Sequence, residues 1–339
     1  GDSDAYLGLV RVEIIDLNPS ALIATINRAA RSPISVEELV PLIVSITTNE
    51  EFAKNTVTTC LEMNAEKPGD LHPAVPYFCA LIAEPLKMQK EAAELFKAAV
   101  ELNPDRQLMV QILDKYGVNQ LALGEFAMAI KIMEQQLEIP GLPPGDRINT
   151  LFRLSAAYAS NEDIESARRV LKEALRMVPD EPQLLTRLAR VEAADGKLEV
   201  AEGLLEKAVK GIPKDSDLLP DTLILLASIL ARQEKWDSAI DQYLRAMDCP
   251  TIDKETLRLV RMALSNTYVQ SGEMKKGEKV MEEIYAEDPN DPGVNNDLGY
   301  LYADQGKELE RAEKMIRIAV EAQPENPAYL DSLGWVLFR

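Results

Sequence analysis

Few residues in this 339-residue chain are of the types that catalysis or metal binding requires. His72 is the single histidine, so histidine triads and metal sites with several histidine ligands are excluded within the chain. It lies in the sequence Asp-Leu-His-Pro, which is typical of a solvated turn. The sequence contains no phosphate-binding glycine loop, no dinucleotide-binding fingerprint, no nucleophile elbow and no zinc-binding helix motif. We therefore predict that the chain is not an enzyme, and we expect no metal and no cofactor.

The cysteines favour a structural role. Cys60, Cys79 and Cys249 are odd in number and far apart in sequence, which excludes a disulfide framework as the determinant of the fold. Each of them lies in an apolar helical pattern. We predict three buried free thiols.

The net charge limits the classes of partner. The chain has 37 Lys and Arg residues against 56 Asp and Glu residues, for a net charge of −19. A surface this acidic repels phosphate backbones and anionic membranes, so we expect no nucleic-acid partner. No apolar stretch is long enough for a transmembrane helix, and we expect no membrane span and a chain that is soluble as given. Hydrophobic residues make up 46% of the sequence, enough for a core, and aromatic residues only 5%, too few for a sheet-dominated fold.

A repeat of 34 to 38 residues organises the second half of the sequence. Small residues recur at this interval inside apolar helical patterns, at Ser155, Ala189, Ala227, Ser265, Gly299 and Gly334. A second small residue follows in each complete unit, and a proline closes the unit. The pattern predicts two amphipathic helices per unit, because small residues permit close helix crossing and proline ends a helix. Glycines in the connecting turns, Gly196, Gly272 and Gly306, predict a positive φ there. One such hairpin cannot bury its apolar stripe alone, so the units are expected to stack.

This pattern resembles the tetratricopeptide repeat (TPR), a family of helical hairpins of about 34 residues. The unit that carries the resemblance best reads Asn-Asp-Leu-Gly-Tyr-Leu-Tyr at residues 296–302 and continues with Gly306, Ala312, Ala319 and Pro324. The resemblance implies an all-α fold, a right-handed solenoid of TPR hairpins. We predict degenerate helical repeats in residues 1–70, two weak TPR-like repeats in 71–145, five TPR repeats in 146–326, and the first helix of an incomplete further repeat in 327–339.

The end of the chain resembles the C-terminal TPR run of bacterial cell-envelope lipoproteins, some of which are adaptors for proteases. The sequence Leu-Asp-Ser-Leu-Gly-Trp at residues 330–335 carries this resemblance. It implies a location in the cell envelope or periplasm, and a cytoplasmic location is the alternative. Leu330, Leu333 and Leu337 share a face that a further helix would cover, so we expect either a longer solenoid or self-association through this end.

In the TPR family, the side of each first helix opposite its core positions lines a concave groove. A helical wheel places the candidate peptide-binding residues of this chain on that side: Phe152, Arg153, Arg187, Arg190, Ile224, Arg232, Met262, Asn266, Asn296 and Tyr300. The four arginines predict a partner with acidic and apolar residues, because guanidinium groups bind carboxylates through two parallel hydrogen bonds. The alternative is that Arg153 and Arg187 pair with neighbouring acids of the chain itself.

A known clamp of the family for acidic C-termini needs Lys and Asn on one first helix, Asn on the next, and Lys and Arg on the third. In that register Asn266 supplies the first Asn. Met262, Asp297, Ala328 and Ser332 stand where Lys, Asn, Lys and Arg belong. The clamp is therefore absent.

The sequence as a whole predicts a non-catalytic scaffold or adaptor that binds a protein or peptide in the concave groove. Two alternatives remain open. One is a self-assembling structural module, and the other is the non-catalytic TPR part of a larger enzyme or envelope lipoprotein complex.

Overall fold

Helices account for 77% of the chain in a computed structural model of the protein. The structure describes residues 2–31 and 36–339, and these contain no β-strand. The prediction of an all-α fold is confirmed. The chain divides into two compact units, Gly1–Met177 and Val178–Arg339.

The described part of the first unit contains eleven helices, which pack in consecutive pairs from the sixth onward. Apolar side chains from the first nine helices form a continuous core around Phe78, Leu95, Phe96 and Ile112. The helices are α1 (Asp2–Ile15), α2 (Pro19–Ala29), α3 (Val36–Leu39), α4 (Leu42–Thr47), α5 (Glu50–Glu66), α6 (Ala74–Ala83), α7 (Gln89–Glu101), α8 (Arg106–Ala122), α9 (Phe126–Leu137), α10 (Pro144–Ser160) and α11 (Ile164–Met177).

The second unit consists of four helical hairpins followed by one more helix. In each hairpin the apolar stripes of the two helices face each other, and the last helix packs against both members of the fourth hairpin. The helices are α12 (Pro182–Ala194), α13 (Leu198–Gly211), α14 (Leu218–Arg232), α15 (Trp236–Met247), α16 (Lys254–Gln270), α17 (Met274–Glu287), α18 (Pro292–Asp304), α19 (Leu309–Ala322) and α20 (Pro327–Phe338).

The turn inside each of several hairpins contains a residue in the left-handed conformation. The predicted glycines take it, with φ of 77° at Gly196, 87° at Gly272 and 65° at Gly306. Glu162 and Glu234 adopt the same conformation in equivalent turns, with φ of 62° and 59°, although a residue with a Cβ atom loses roughly 1 kcal/mol or more there. The turn geometry is therefore imposed by the packing of the two helices, and glycine only makes it easier to adopt.

The small residues of the repeat lie where two helices approach closely, as predicted. A Cβ atom on Gly277 would lie 2.7 Å from Cγ2 of Val269 and 2.8 Å from the carbonyl oxygen of Ser265. A Cβ atom on Gly334, in the last helix, would have no neighbour within 4 Å. A small residue is thus required where the two helices of one hairpin cross. No described helix forms a hairpin with α20 in this way, so Gly334 has open space around it.

The remaining expectations about single residues have mixed outcomes. Cys60, Cys79 and Cys249 are buried free thiols, as predicted. His72 lies in a turn but is half-buried rather than fully solvated. Its Nδ1 accepts a hydrogen bond from the backbone N–H of Ala74 at 3.3 Å, and burial, with the nearby charge of Arg31, lowers its pKa. Within residues 2–31 and 36–339, no helix combines the length and the apolar character needed to cross a membrane.

Candidate functional site

Helices α16, α18 and α20 of the second unit are each the first helix of a repeat, and each begins with a side-chain N-cap. The side chains of Asp253, Asp291 and Asn326 each accept a hydrogen bond from a backbone N–H of the first helical turn, at 2.8 to 3.0 Å. Such caps satisfy N–H groups that have no partner within the helix. Proline follows the cap directly in α18 and α20, where its fixed φ suits the first helical position. The caps therefore fix where each helix begins, and so which of its side chains face the neighbouring helices.

Asp291 also ties α18 to α16. Arg258 of α16 forms an ion pair with the Asp291 carboxylate while that carboxylate caps α18. Arg261 donates a hydrogen bond to Glu287 at 2.6 Å, which holds α16 against the end of α17. These contacts hold α16 beside the hairpin that carries α18.

These three helices, together with α17, line a cavity of about 590 Å³. One part of its wall is apolar and includes Met262, Val269, Met281 and Leu301. The polar part includes Asn266, Asn296, Tyr300 and the carboxylates of Asp297, Asp304 and Asp331. Ala328 and Ser332 complete the side formed by α20. A volume of this size lies in the range of sites for small ligands or a few side chains, about 300–1,000 Å³.

The cavity has a single sign of charge. No Lys, Arg or His belongs to the described residues that line it. Arg339 lies nearby, where it donates a hydrogen bond to the backbone carbonyl of Asp304 at 3.0 Å, but it is not part of the wall. In the part of the chain that the structure describes, no three His, Cys, Asp or Glu side chains are placed to hold a metal ion.

The surroundings of Asp297 perturb the ionisation of its carboxylate. Its side chain reaches solvent at the opening of the cavity, but the surrounding wall removes part of its hydration. This desolvation raises its pKa, a hydrogen bond from Asn296 partly opposes the shift, and the charge of Asp291 adds to it. The cavity thus holds a carboxylate that lacks a positive partner among the residues around it.

Asn296 is 8% exposed. Its Nδ2 donates a hydrogen bond to Oδ1 of Asp297 at 3.0 Å, which fixes the orientation of the amide. Its Oδ1 is buried and accepts no hydrogen bond from any described residue. A buried acceptor left without a partner costs about 1–3 kcal/mol.

The structure brings together four of the ten residues that the sequence predicted for the groove. Met262, Asn266, Asn296 and Tyr300 all line this one cavity. Phe152 and Arg153 lie in the first unit, on α10, and both are half-buried. Arg153 forms an ion pair with Asp114 of α8, so the alternative interpretation, pairing within the chain, holds for this residue.

The other four predicted residues lie in the second unit, outside the cavity. Arg187 is half-buried on α12, where burial, together with the charge of Arg190, lowers its pKa. Arg190 and Arg232 are exposed. Ile224 packs against the core between its neighbours. That the arginines bind a partner remains a prediction.

Several lining residues were not in the predicted set. Met281 belongs to a second helix, α17, which a wheel drawn for first helices cannot include. Asp331 lies on α20, and the wheel extended to this last helix would have found it. Val269 and Leu301 read as ordinary core positions in the sequence.

The arrangement defines an all-α helical-repeat protein with a groove-type cavity, and part of its sequence is similar to known repeat proteins. The family model of the tetratricopeptide repeat matches residues 152–216. A TPR repeat-containing protein of Pseudomonas aeruginosa is 28% identical over 125 residues, which is 32% of this chain. The match covers 21% of the length of that relative.

Solved structures show the same fold. A tetratricopeptide repeat protein from Parabacteroides merdae superimposes with a TM-score of 0.56 at 15% identity, over 82% of this chain and 99% of that one. BtubC from P. vanneervenii has a TM-score of 0.51 at 15% identity, over 60% of this chain and 89% of its own. The family match over residues 152–216 and the fold shared with these structures support a tetratricopeptide repeat fold for this chain. The fold of this family is in general that of a protein-interaction scaffold.

Proposed function

We propose that this chain is a non-catalytic adaptor whose cavity between α16, α18 and α20 binds a segment of a partner protein. The observation that carries the proposal is the convergence of three successive first helices on one cavity with both apolar and polar walls. Repeat proteins use such surfaces because each stacked unit adds side chains to a continuous groove.

A peptide segment suits this site better than a compact small molecule. The wall is built from residues of successive repeats, so it extends across the helices. Its apolar part can bury a side chain, while Asn266 and Tyr300 are exposed and offer hydrogen-bonding groups at the edge. An apolar centre with a polar rim is the common anatomy of protein-binding surfaces.

A selection from a peptide display library tests this function. The library is selected in parallel against the parent chain and against Ala328→Trp, in which an indole occupies the wall of the cavity. We expect sequences that are enriched on the parent and not on the variant. Ala322→Trp makes the same change at an exposed site of α19 outside the cavity and serves as the matched control. No enrichment, or equal enrichment on Ala328→Trp, would contradict the proposal.

Self-assembly is the second candidate function, and exposed apolar side chains favour it. Leu330, Leu337 and Phe338 of α20 are 47%, 59% and 79% exposed. The net charge of −19 opposes the association of two copies. Light scattering over a hundredfold range of concentration decides between a monomer and an assembly.

A further inference from the structure

We propose that the cavity between α16, α18 and α20 selects a basic side chain, Lys or Arg, of the partner segment. This inference rests on the proposed function, since it names the chemistry of the residue that the same cavity receives. It reverses the sign of charge that the arginines of the sequence predicted for the partner. Four observations on the cavity support it.

The first observation is the charge of the wall. Asp297 and Asp304 on α18 and Asp331 on α20 place three carboxylates around one space, and no described lining residue is basic. They are not arranged as a metal site. An organic cation, which needs no fixed coordination geometry, fits such a wall better than a metal ion.

The second observation is the acceptor of Asn296. Its amide is oriented by the hydrogen bond to Asp297, which leaves Oδ1 buried and without a donor. Ammonium and guanidinium groups carry three and five N–H donors and no acceptor. One such group can donate to a carboxylate of the wall, and also to this amide oxygen once the Asn296 side chain turns toward the cavity, whereas a carboxylate ligand can satisfy neither.

The third observation is the apolar part of the wall. Met262, Val269, Met281 and Leu301 line the same cavity as the three carboxylates. Lys and Arg have long hydrocarbon stems that pack on apolar surfaces while the charged end remains among polar groups. The wall therefore matches both parts of a basic side chain.

The fourth observation is the set of positions that the family clamp would use. Met262, Asp297, Ala328 and Ser332, which replace the clamp residues Lys, Asn, Lys and Arg, all line this cavity. Every base of the clamp is replaced by a neutral residue, and one of its neutral residues is replaced by an acid. At these positions the wall carries a carboxylate and no base, which repels an anion and attracts a cation.

The test uses peptides from the display selection, synthesised with an acetylated N-terminus so that the only cation is a side chain. Each peptide is paired with a version in which citrulline replaces Arg, or norleucine replaces Lys. Affinities are measured by fluorescence anisotropy for the parent and for the variant Asp297→Asn/Asp304→Asn/Asp331→Asn. The control variant Glu206→Gln/Glu310→Gln/Glu321→Gln removes the same charge from exposed positions outside the cavity.

We expect a basic residue at one position in the selected peptides. Neutralising it should weaken binding to the parent about tenfold or more, as for other hydrogen bonds to charged groups. For the triple Asp→Asn variant, neutralising the basic residue of the peptide should change the affinity little. The control variant should bind each peptide with the same affinity as the parent. Cavity-dependent peptides without a basic residue would overturn this inference and leave the proposed function intact, and so would selected peptides that lose their binding once the N-terminus is acetylated. Failure to enrich any cavity-dependent peptide would overturn both.

Discussion

Two glycines at the same position of successive units should respond to alanine with opposite signs. Gly299 lies in α18, which pairs with α19, and Gly334 lies in α20, which has no second helix among the described residues. A Cβ atom on Gly299 would lie 2.8 Å from Cγ1 of Ile316 and 3.0 Å from the carbonyl oxygen of Ala312. A Cβ atom on Gly334 would meet nothing within 4 Å.

The magnitudes follow from two opposing effects. Replacing glycine by alanine inside a helix stabilises it by about 1 kcal/mol. Overpacking a well-filled contact costs about 1–3 kcal/mol, and Ile316 is fully buried while the Ala312 oxygen belongs to the backbone, so neither yields easily. Both contacts lie at or below 3.0 Å, so the overpacking cost should fall in the upper part of that range, and we expect Gly299→Ala to lower the free energy of unfolding by about 1–2 kcal/mol. We expect Gly334→Ala to raise the stability of α20 by about 0.5–1 kcal/mol.

Urea unfolding followed by circular dichroism measures the first effect, and amide hydrogen exchange in α20 measures the second, because a terminal helix can open separately. Gly203→Ala is the control, since this helical glycine also has open space around its Cβ position. A Gly299→Ala protein as stable as the parent would refute the argument that close helix crossing requires the small residue. Faster exchange in α20 of Gly334→Ala would refute the argument that this position is open.

Three further predictions concern charge and assembly. Asp297→Asn should leave the free energy of unfolding at neutral pH unchanged or higher. Because the pKa of Asp297 is raised in the folded protein, its titration stabilises the fold below the ordinary Asp pKa of about 3.9. This contribution is lost as the pH rises through the raised pKa, so none of it remains at neutral pH for the substitution to remove. Chemical unfolding at pH 7 checks this, and a loss of 1 kcal/mol or more contradicts it. For the same reason, affinity for a basic peptide should fall on acidification at a higher pH than an Asp side chain of ordinary pKa would give, because protons compete with the cation at Asp297. Affinities measured over a pH series show this, and the dependence should be weaker for Asp297→Asn. Replacing the predicted arginines of the second unit, Arg187, Arg190 and Arg232, by alanine should weaken binding of an acidic peptide more at low salt than at high salt, and binding equal to that of the parent under both conditions refutes their assignment.

The sequence was sufficient for the fold because the repeat constrains it at several levels. The small residues, the turn glycines and the closing prolines all favour one helical hairpin, and the structure contains that hairpin. Glu162 and Glu234 show the limit of the argument, since the left-handed turn forms there without the residue that would have predicted it. Where the packing of the two helices imposes the left-handed turn, the residue type at that position need not be glycine, and the sequence gives no signal for it.

The candidate site was predictable only in part. A helical wheel brings together Met262, Asn266, Asn296 and Tyr300, because all four lie on one side of their helices. It cannot show that Asn296 is buried with an unpaired oxygen, because that depends on the neighbouring helices. Nor can it pair Arg153 with Asp114, one hairpin earlier in the chain, where the repeat pattern of the sequence is weak.

The proposal that the cavity binds a partner segment is tested most directly by methyl NMR of the methionines. Met262 and Met281 line the cavity, whereas Met128 is 42% exposed on α9 of the first unit. On addition of a selected basic peptide, we predict that the methyl signals of Met262 and Met281 shift in proportion to the bound fraction. The signal of Met128 should stay in place, and Ala328→Trp should abolish the shifts. Saturable binding that leaves both cavity methionines unshifted would contradict the assignment of this cavity as the binding site.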